Sequence, residues 1–130
     1  MTTDLWYLAL TAMLTAALWI PYIACQVMTN GALSPTEYAD PKPRPVPLWG
    51  ERANRAHLNA VESFAPFAAL VIVAQIAGKA NAMTAFWAAS FFWLRLAHAV
   101  VYWAAIPYVR TVVFTLGFVC VAGIFWAVIK

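Results

Sequence analysis

Four long apolar runs follow one another along the chain, and each has the length of a membrane-crossing helix. They cover about residues 5–29, 49–77, 82–106 and 108–129. A transmembrane helix needs about 20 predominantly apolar residues. The pattern therefore predicts an all-α membrane protein in which residues 1–130 form a single transmembrane domain, a four-transmembrane-helix bundle.

Prolines mark the interruptions in this pattern. Pro21 lies inside the first run, Pro66 lies inside the second run, where it predicts a kink, and Pro107 separates the third run from the fourth. The one long connector, residues 31–48, should follow an extended path without regular helix, because prolines recur along it. They are Pro35, Pro41, Pro43, Pro45 and Pro47.

The composition supports a membrane protein and argues against a soluble domain and against a nucleic-acid-binding protein. Hydrophobic residues make up 65% of the chain and charged residues 10%, whereas about half of a soluble domain is apolar. The basic residues are scattered, which argues against nucleic acid as a partner and leaves membrane lipid. Cys25 and Cys120 lie inside apolar runs, so we expect buried small hydrophobes and no disulfide.

The distribution of basic residues predicts the orientation. Lys79 and Lys130 lie at one end of the bundle, and the other end carries more cations. These are Lys42, Arg44, Arg52, Arg55 and Arg110. Because cytoplasmic loops carry the excess of Lys and Arg, both termini should face away from the cytoplasm. In a bacterium we expect the inner membrane.

A polar stripe runs into the second helix. Arg52, Arg55, Asn59 and Glu62 recur at steps of three and four, so they share one helix face. At about 1.5 Å per residue, Glu62 lies roughly 20 Å along a span whose hydrocarbon stretch is about 30 Å. A carboxylate at this depth needs a partner or a wet cavity and indicates a functional site.

The third helix carries Arg95, His98 and Tyr102 on one face. Arg95 and Glu62 lie at similar depth on antiparallel helices. We therefore predict an internal ion pair between them, since an uncompensated buried charge costs several kcal/mol. The pair could serve only to fix helix register. Its placement near Asn59 and Arg110 favours instead the floor of a polar pocket.

Arg110 begins the fourth helix and has two interpretations. One is an interfacial arginine whose guanidinium reaches the membrane surface, and the other is a cation beside a small anionic or thiol ligand. His57 and His98 have no neighbouring ligands of other types, so no metal site is expected.

Two motifs give the chain a resemblance to a known family. The first is ERANRAHLNAVE at residues 51–62, followed by Pro66 and Phe67. The second is RLAH at residues 95–98 with Tyr102, then Pro107, Arg110 and Thr111. Together they resemble the membrane-associated proteins in eicosanoid and glutathione metabolism, the MAPEG superfamily, and are most similar to its microsomal glutathione transferases.

The resemblance implies a trimeric bundle that binds glutathione between subunits near the cytoplasmic face. Glutathione would be a co-substrate, and the second substrate would be a lipophilic electrophile. By motif position, Arg110 would activate the thiol, and a set of residues would line or support the site. These are Arg55, Asn59, Glu62, His98, Tyr102, Arg110 and Thr111.

The chain also departs from the family pattern. Met28 and Leu58 occupy positions at which the eicosanoid synthases of that family have arginines. Ala60 stands in place of a common aspartate, and Phe114 stands in place of a tyrosine of the synthases. Fewer cations remain for the glutathione carboxylates, which disfavours eicosanoid synthesis. Two hypotheses follow: a glutathione-dependent transferase or peroxidase, or a non-catalytic MAPEG-like protein that binds lipid or other membrane proteins.

Overall fold

The chain folds into six helices that form four candidate membrane spans. In the computed structural model, which describes residues 1–130, the helices are α1 (Thr3–Ala17), α2 (Trp19–Asn30), α3 (Pro35–Ala39), α4 (Leu48–Ile76), α5 (Ala82–Trp103) and α6 (Val109–Ile129). The four regions long and apolar enough to cross a membrane are Thr3–Asn30, Leu48–Ile76, Ala82–Trp103 and Val109–Ile129. The prediction of an all-α chain with four spans is confirmed.

The first span is divided into α1 and α2, whereas the pattern predicted one helix over 5–29. The division falls at Leu18, three residues before Pro21. Proline has no backbone N–H, so Pro21 cannot donate to the carbonyl of Ala17. Helical backbone resumes at once, and the two helices together retain the length needed to cross a membrane.

The connector between α2 and α4 contains a short helix, α3, although its prolines predicted an extended path without regular helix. The hydroxyl of Ser34 accepts from the N–H of Glu37 (3.3 Å), and the carboxylate of Glu37 accepts from the N–H of Ser34 (2.6 Å). Pro35 occupies the first helical turn, where its missing N–H is harmless. The hydrogen bond from the Ser34 N–H lowers the pKa of Glu37, and the hydroxyl adds to that effect.

The connector is also fastened to the end of α2. The guanidinium of Arg44 donates to the carbonyls of Asn30 (2.8 Å) and Gly31 (2.7 Å). The side-chain amide of Asn30 donates in return to the carbonyl of Pro45 (2.9 Å). These bonds satisfy carbonyls that the helix end leaves free, so the extended segment lies against the bundle.

The core lies between α4, α5 and α6. Phe67 and Phe91 stack with ring centroids 4.0 Å apart, and Ile124 packs fully buried in the same cluster. Cys120 belongs to this cluster and Cys25 is buried elsewhere; both are free thiols, as predicted. Dispersion and close packing, rather than water exclusion, hold helices together in lipid.

A tight connection joins α5 to α6. The third helix was predicted to reach residue 106 but ends at Trp103. Ala105 and Tyr108 adopt positive φ angles of 57° and 64°, which side-chain-bearing residues rarely adopt. The N–H of Val109 donates to the carbonyl of Pro107 at 2.7 Å. The turn places Arg110 within the first turn of α6.

Candidate functional site

Arg95 is the centre of a polar cluster inside the bundle. It lies on α5 and its residue surface is 3% exposed. Its Nη1 donates to Oδ1 of Asn59 (3.1 Å) and to Oγ of Ser63 (3.0 Å), two residues one turn apart on α4. These bonds tie α4 to α5 at membrane depth. Ser63 was not among the predicted site residues, although its spacing from Asn59 puts it on the same face.

The predicted ion pair between Glu62 and Arg95 is wrong within the chain. The only ion pair joins Lys42 to Asp40 (3.2 Å) on the exposed connector. Glu62 precedes Ser63 by one residue, which rotates its side chain about 100° around the helix, and Glu62 is exposed on the outer surface of α4. Glu62 and Arg95 both line one cavity, as their matched depth allows, but they form no ion pair.

Aromatic rings and a glycine complete the surroundings of Arg95. The guanidinium carbon lies 5.4 Å from the ring centroid of Phe91 and 5.7 Å from that of Phe114. On α6, a methyl group at Gly117 would come within 2.7 Å of Nη2 of Arg95. Gly117 therefore lets the guanidinium approach the α6 backbone. Neither its role nor that of Phe91 was signalled by the sequence pattern.

A second group lies nearer the predicted cytoplasmic end. The rings of His98 and Tyr102 meet edge to face at 5.5 Å, and the ring of Phe114 lies 6.3 Å from that of His98. The guanidinium carbon of Arg110 lies 4.6 Å from the ring centroid of Tyr102. His98 is buried, Tyr102 is half-buried and Arg110 is exposed. Three of the predicted site residues thus converge, with an exposed cation at the rim.

A cavity of about 270 Å³ opens beside Arg95. Its walls come from α4, α5 and α6 and combine a few polar groups with aromatic rings. They are formed by Asn59, Glu62, Ser63, Pro66, Phe91, Arg95, Phe114, Gly117, Phe118 and Val121. The mixture of apolar walls with convergent polar groups is typical of small-molecule sites.

The remaining predicted residues lie outside this cluster. Arg55 is exposed and lines a different surface pocket with Tyr22 and Glu51. Thr111 is exposed at the start of α6, where its carbonyl accepts from the hydroxyl of Thr115 (2.8 Å). Within one chain, Asn59 lies with Arg95, and His98 lies with Tyr102 and Arg110. Arg55 and Thr111 lie with neither group.

The outer face of α4 carries exposed charged side chains from the predicted cytoplasmic end of the helix to the depth of Glu62. Glu51, Arg55 and Glu62 follow one another at spacings of four and seven residues, and all three are exposed. A charged group facing lipid is costly. This face requires water or another protein surface.

No group of three or more His, Cys, Asp or Glu residues is placed to hold a metal ion.

Comparison with known proteins identifies the family. The family model described as the MAPEG family matches residues 5–130, which is nearly the whole chain. No curated protein and no solved structure matched the chain. The matched region covers the first candidate membrane span from residue 5 onward, the other three spans completely, and both groups around Arg95 and Arg110. The chain is therefore a multi-pass membrane protein that belongs to the MAPEG family.

Proposed function

We propose that the protein is a glutathione-dependent transferase or peroxidase that acts on lipophilic electrophiles. The observation that carries the proposal is the position of Arg110. Its guanidinium stacks on Tyr102 and is exposed at the rim of the polar cluster. No carboxylate pairs with it. A cation held by an aromatic ring but free of an acidic partner is suited to an incoming anion.

The chemistry assigned to Arg110 is stabilisation of a thiolate. Two unit charges about 4 Å apart interact by up to about 4 kcal/mol at an effective dielectric of about 20. Lowering the pKa of a thiol by two units needs only about 2.7 kcal/mol. Arg110 would thus favour the thiolate of bound glutathione, the form that attacks an electrophile. His98, Tyr102 and Asn59 would then support the peptide part of glutathione.

A homotrimer in the membrane is part of the same proposal. The exposed polar face of α4, which includes Arg55 and Glu62, is incompatible with lipid but compatible with a neighbouring subunit. Packing against a neighbour would also bring Arg55 and Thr111 to a shared site, which one chain alone does not do. With the cation-rich end in the cytoplasm, the glutathione site would open there. In a bacterium the location would be the inner membrane.

A second candidate function rests on the apolar substitutions. Met28 and Leu58 are apolar and are 76% and 49% exposed. They occupy positions at which the eicosanoid synthases of the family have arginines that could bind glutathione. The ring of Phe114, in place of a tyrosine, packs near Arg95 and His98. These features favour a MAPEG-family protein that binds lipid or another membrane protein without catalysis.

An activity assay separates the two candidates. Purified protein in lipid nanodiscs should conjugate reduced glutathione to a generic aryl halide, and light scattering should give the mass of three chains. Empty nanodiscs and a preparation with oxidised glutathione serve as controls. If aryl halides and lipid hydroperoxides both fail to react above these controls, the non-catalytic function is favoured.

A further inference from the structure

Two basic residues lie at the end of the bundle opposite Arg110, and both line the same hollow. They are Lys79, in the turn between α4 and α5, and Lys130, at the end of α6. Both are exposed and neither forms an ion pair, since the only ion pair joins Lys42 to Asp40. The hollow, called the outer hollow below, has a volume of about 490 Å³ and is formed by Lys79, Asn81, Met83, Trp126, Ala127 and Lys130.

The turn that carries Lys79 is closed by its own hydrogen bonds. Gly78 adopts a φ angle of 66°, in the left-handed region that favours glycine. The N–H of Lys79 donates to the carbonyl of Ala74 (2.8 Å), and the N–H of Gly78 donates to the carbonyl of Gln75 (3.2 Å). This pair of bonds ends α4, and the side chain of Asn81 caps the start of α5. The backbone of Lys79 is therefore fixed at the edge of the outer hollow.

The walls of the outer hollow are apolar and aromatic. Trp126 and Lys130 lie one turn apart on α6, so they share one face. Trp126 is 63% exposed and Met83 on α5 is 55% exposed. Tryptophan is enriched where membrane meets water, because its ring is apolar and its indole N–H is polar. The outer hollow thus combines the side chains of a membrane interface with two ammonium groups.

Little negative charge opposes the two lysines. Asp4 is the only Asp or Glu side chain at this end, and it is buried on α1, which does not contact α6. Glu62 lies fourteen residues before the end of α4, or about 20 Å away. The outer hollow is therefore electropositive, and its charge is complementary to an anionic membrane surface.

The groove beneath the outer hollow is closed. Trp87 lies one turn beyond Met83 on α5, and its ring lies against Gly123 of α6, where an added methyl group would come within 2.5 Å of the indole. The ring of Trp87 therefore fills the space between the two helices. A ligand with acyl chains can place its polar head in the outer hollow while its chains stay on the outer surface of α5 and α6.

We propose that the outer hollow binds the headgroup of an anionic phospholipid. The phosphodiester would accept hydrogen bonds from the ammonium groups of Lys79 and Lys130, and the indole N–H of Trp126 would donate to the headgroup. A soluble phosphate ion shares the charge but would leave Met83 and Trp126 uncovered, which favours the lipid. The outer hollow lies at the opposite end from Arg110, so the proposed conjugation involves neither lysine.

The test is photo-crosslinking of the wild-type protein in nanodiscs of neutral lipid, without glutathione. The probe is phosphatidylglycerol with a diazirine near the start of one acyl chain, and phosphatidylcholine with the same diazirine is the comparison. Each basic residue at an anionic surface contributes about fivefold in affinity. Phosphatidylglycerol should therefore label the peptides around Met83 and Trp126 about 25-fold more than phosphatidylcholine, and equal labelling would overturn the site. Loss of labelling on addition of excess inorganic phosphate would show a site for soluble anions instead.

Variants locate the binding to the outer hollow. Lys79→Gln and Lys130→Gln should each lower labelling by phosphatidylglycerol about fivefold, and the double variant should be labelled equally by both probes. Lys42→Gln is the matched control, since Lys42 is an exposed lysine at the opposite end. Labelling around Trp49, also at that end, is an internal reference that the two variants should not change. If the double variant and Lys42→Gln are both labelled like the wild type, the outer hollow is not the site.

Discussion

Arg110→Leu should lower the rate of glutathione conjugation about a hundredfold. The expected cause is the loss of one charge-assisted contact to the thiolate, which removes about 2 to 3 kcal/mol of stabilisation. The ultraviolet absorbance of the bound thiolate should disappear with it. Because Arg110 is exposed and contacts mainly the ring of Tyr102, its removal should leave the subunit fold and the assembly intact.

Two further variants make this result specific. Arg110→Lys should recover part of the rate, since an ammonium still favours an anion but lacks the planar fork of the guanidinium. Lys79→Leu removes an exposed cation from the opposite end of the bundle and should have no effect on conjugation. Unchanged activity and absorbance in Arg110→Leu would show that Arg110 serves only as an interfacial anchor.

Arg95→Ala should destabilise the bundle by roughly 3 kcal/mol. The substitution leaves a cavity between α4, α5 and α6 and removes the donor that Asn59 and Ser63 share, and both losses are costly in a packed interior. The free energy of unfolding can be measured by titration with a denaturing detergent and tryptophan fluorescence. Arg95→Met should lose less, because it fills the space and removes a buried charge.

Lys79→Ala is the control for this measurement, since an exposed surface charge contributes little to stability. A loss in Arg95→Ala no larger than that in Lys79→Ala would contradict the view that Arg95 joins three helices. Gly117→Ala provides an independent check. Its added methyl group would displace the guanidinium from α6 and should also destabilise the fold without changing any charge.

The membrane fold could be predicted from hydropathy, and local exceptions follow from backbone chemistry. The apolar runs alone locate the four spans within a few residues. The division at Leu18 needs the further observation that Pro21 cannot donate to Ala17. Ser34 and Glu37 form a capping pair at the spacing of a helix start, a local signal of α3 that the prediction from the prolines did not use.

The site was predictable in part. Spacing gave the shared face of Asn59 and Glu62 on α4 and that of Arg95, His98 and Tyr102 on α5, and matched depth placed Arg95 at the level of this part of α4. The depth of a residue in the membrane does not determine which way its side chain points around the helix axis. Glu62 was therefore predicted to contact Arg95, whereas Asn59 and Ser63 make that contact. The close approach at Gly117 depends on how α6 packs against α5, a tertiary feature that no local pattern contains.

Calorimetric titration of reduced glutathione into the purified protein tests the central claim most directly. The proposed site predicts saturable binding below millimolar concentration, with one site per subunit or a simple fraction of that number. Arg110→Leu should weaken this binding, and oxidised glutathione should compete poorly because it has no thiolate to pair with Arg110. Absence of measurable heat with reduced glutathione at millimolar concentration, from protein shown to be folded, would contradict a glutathione-dependent function.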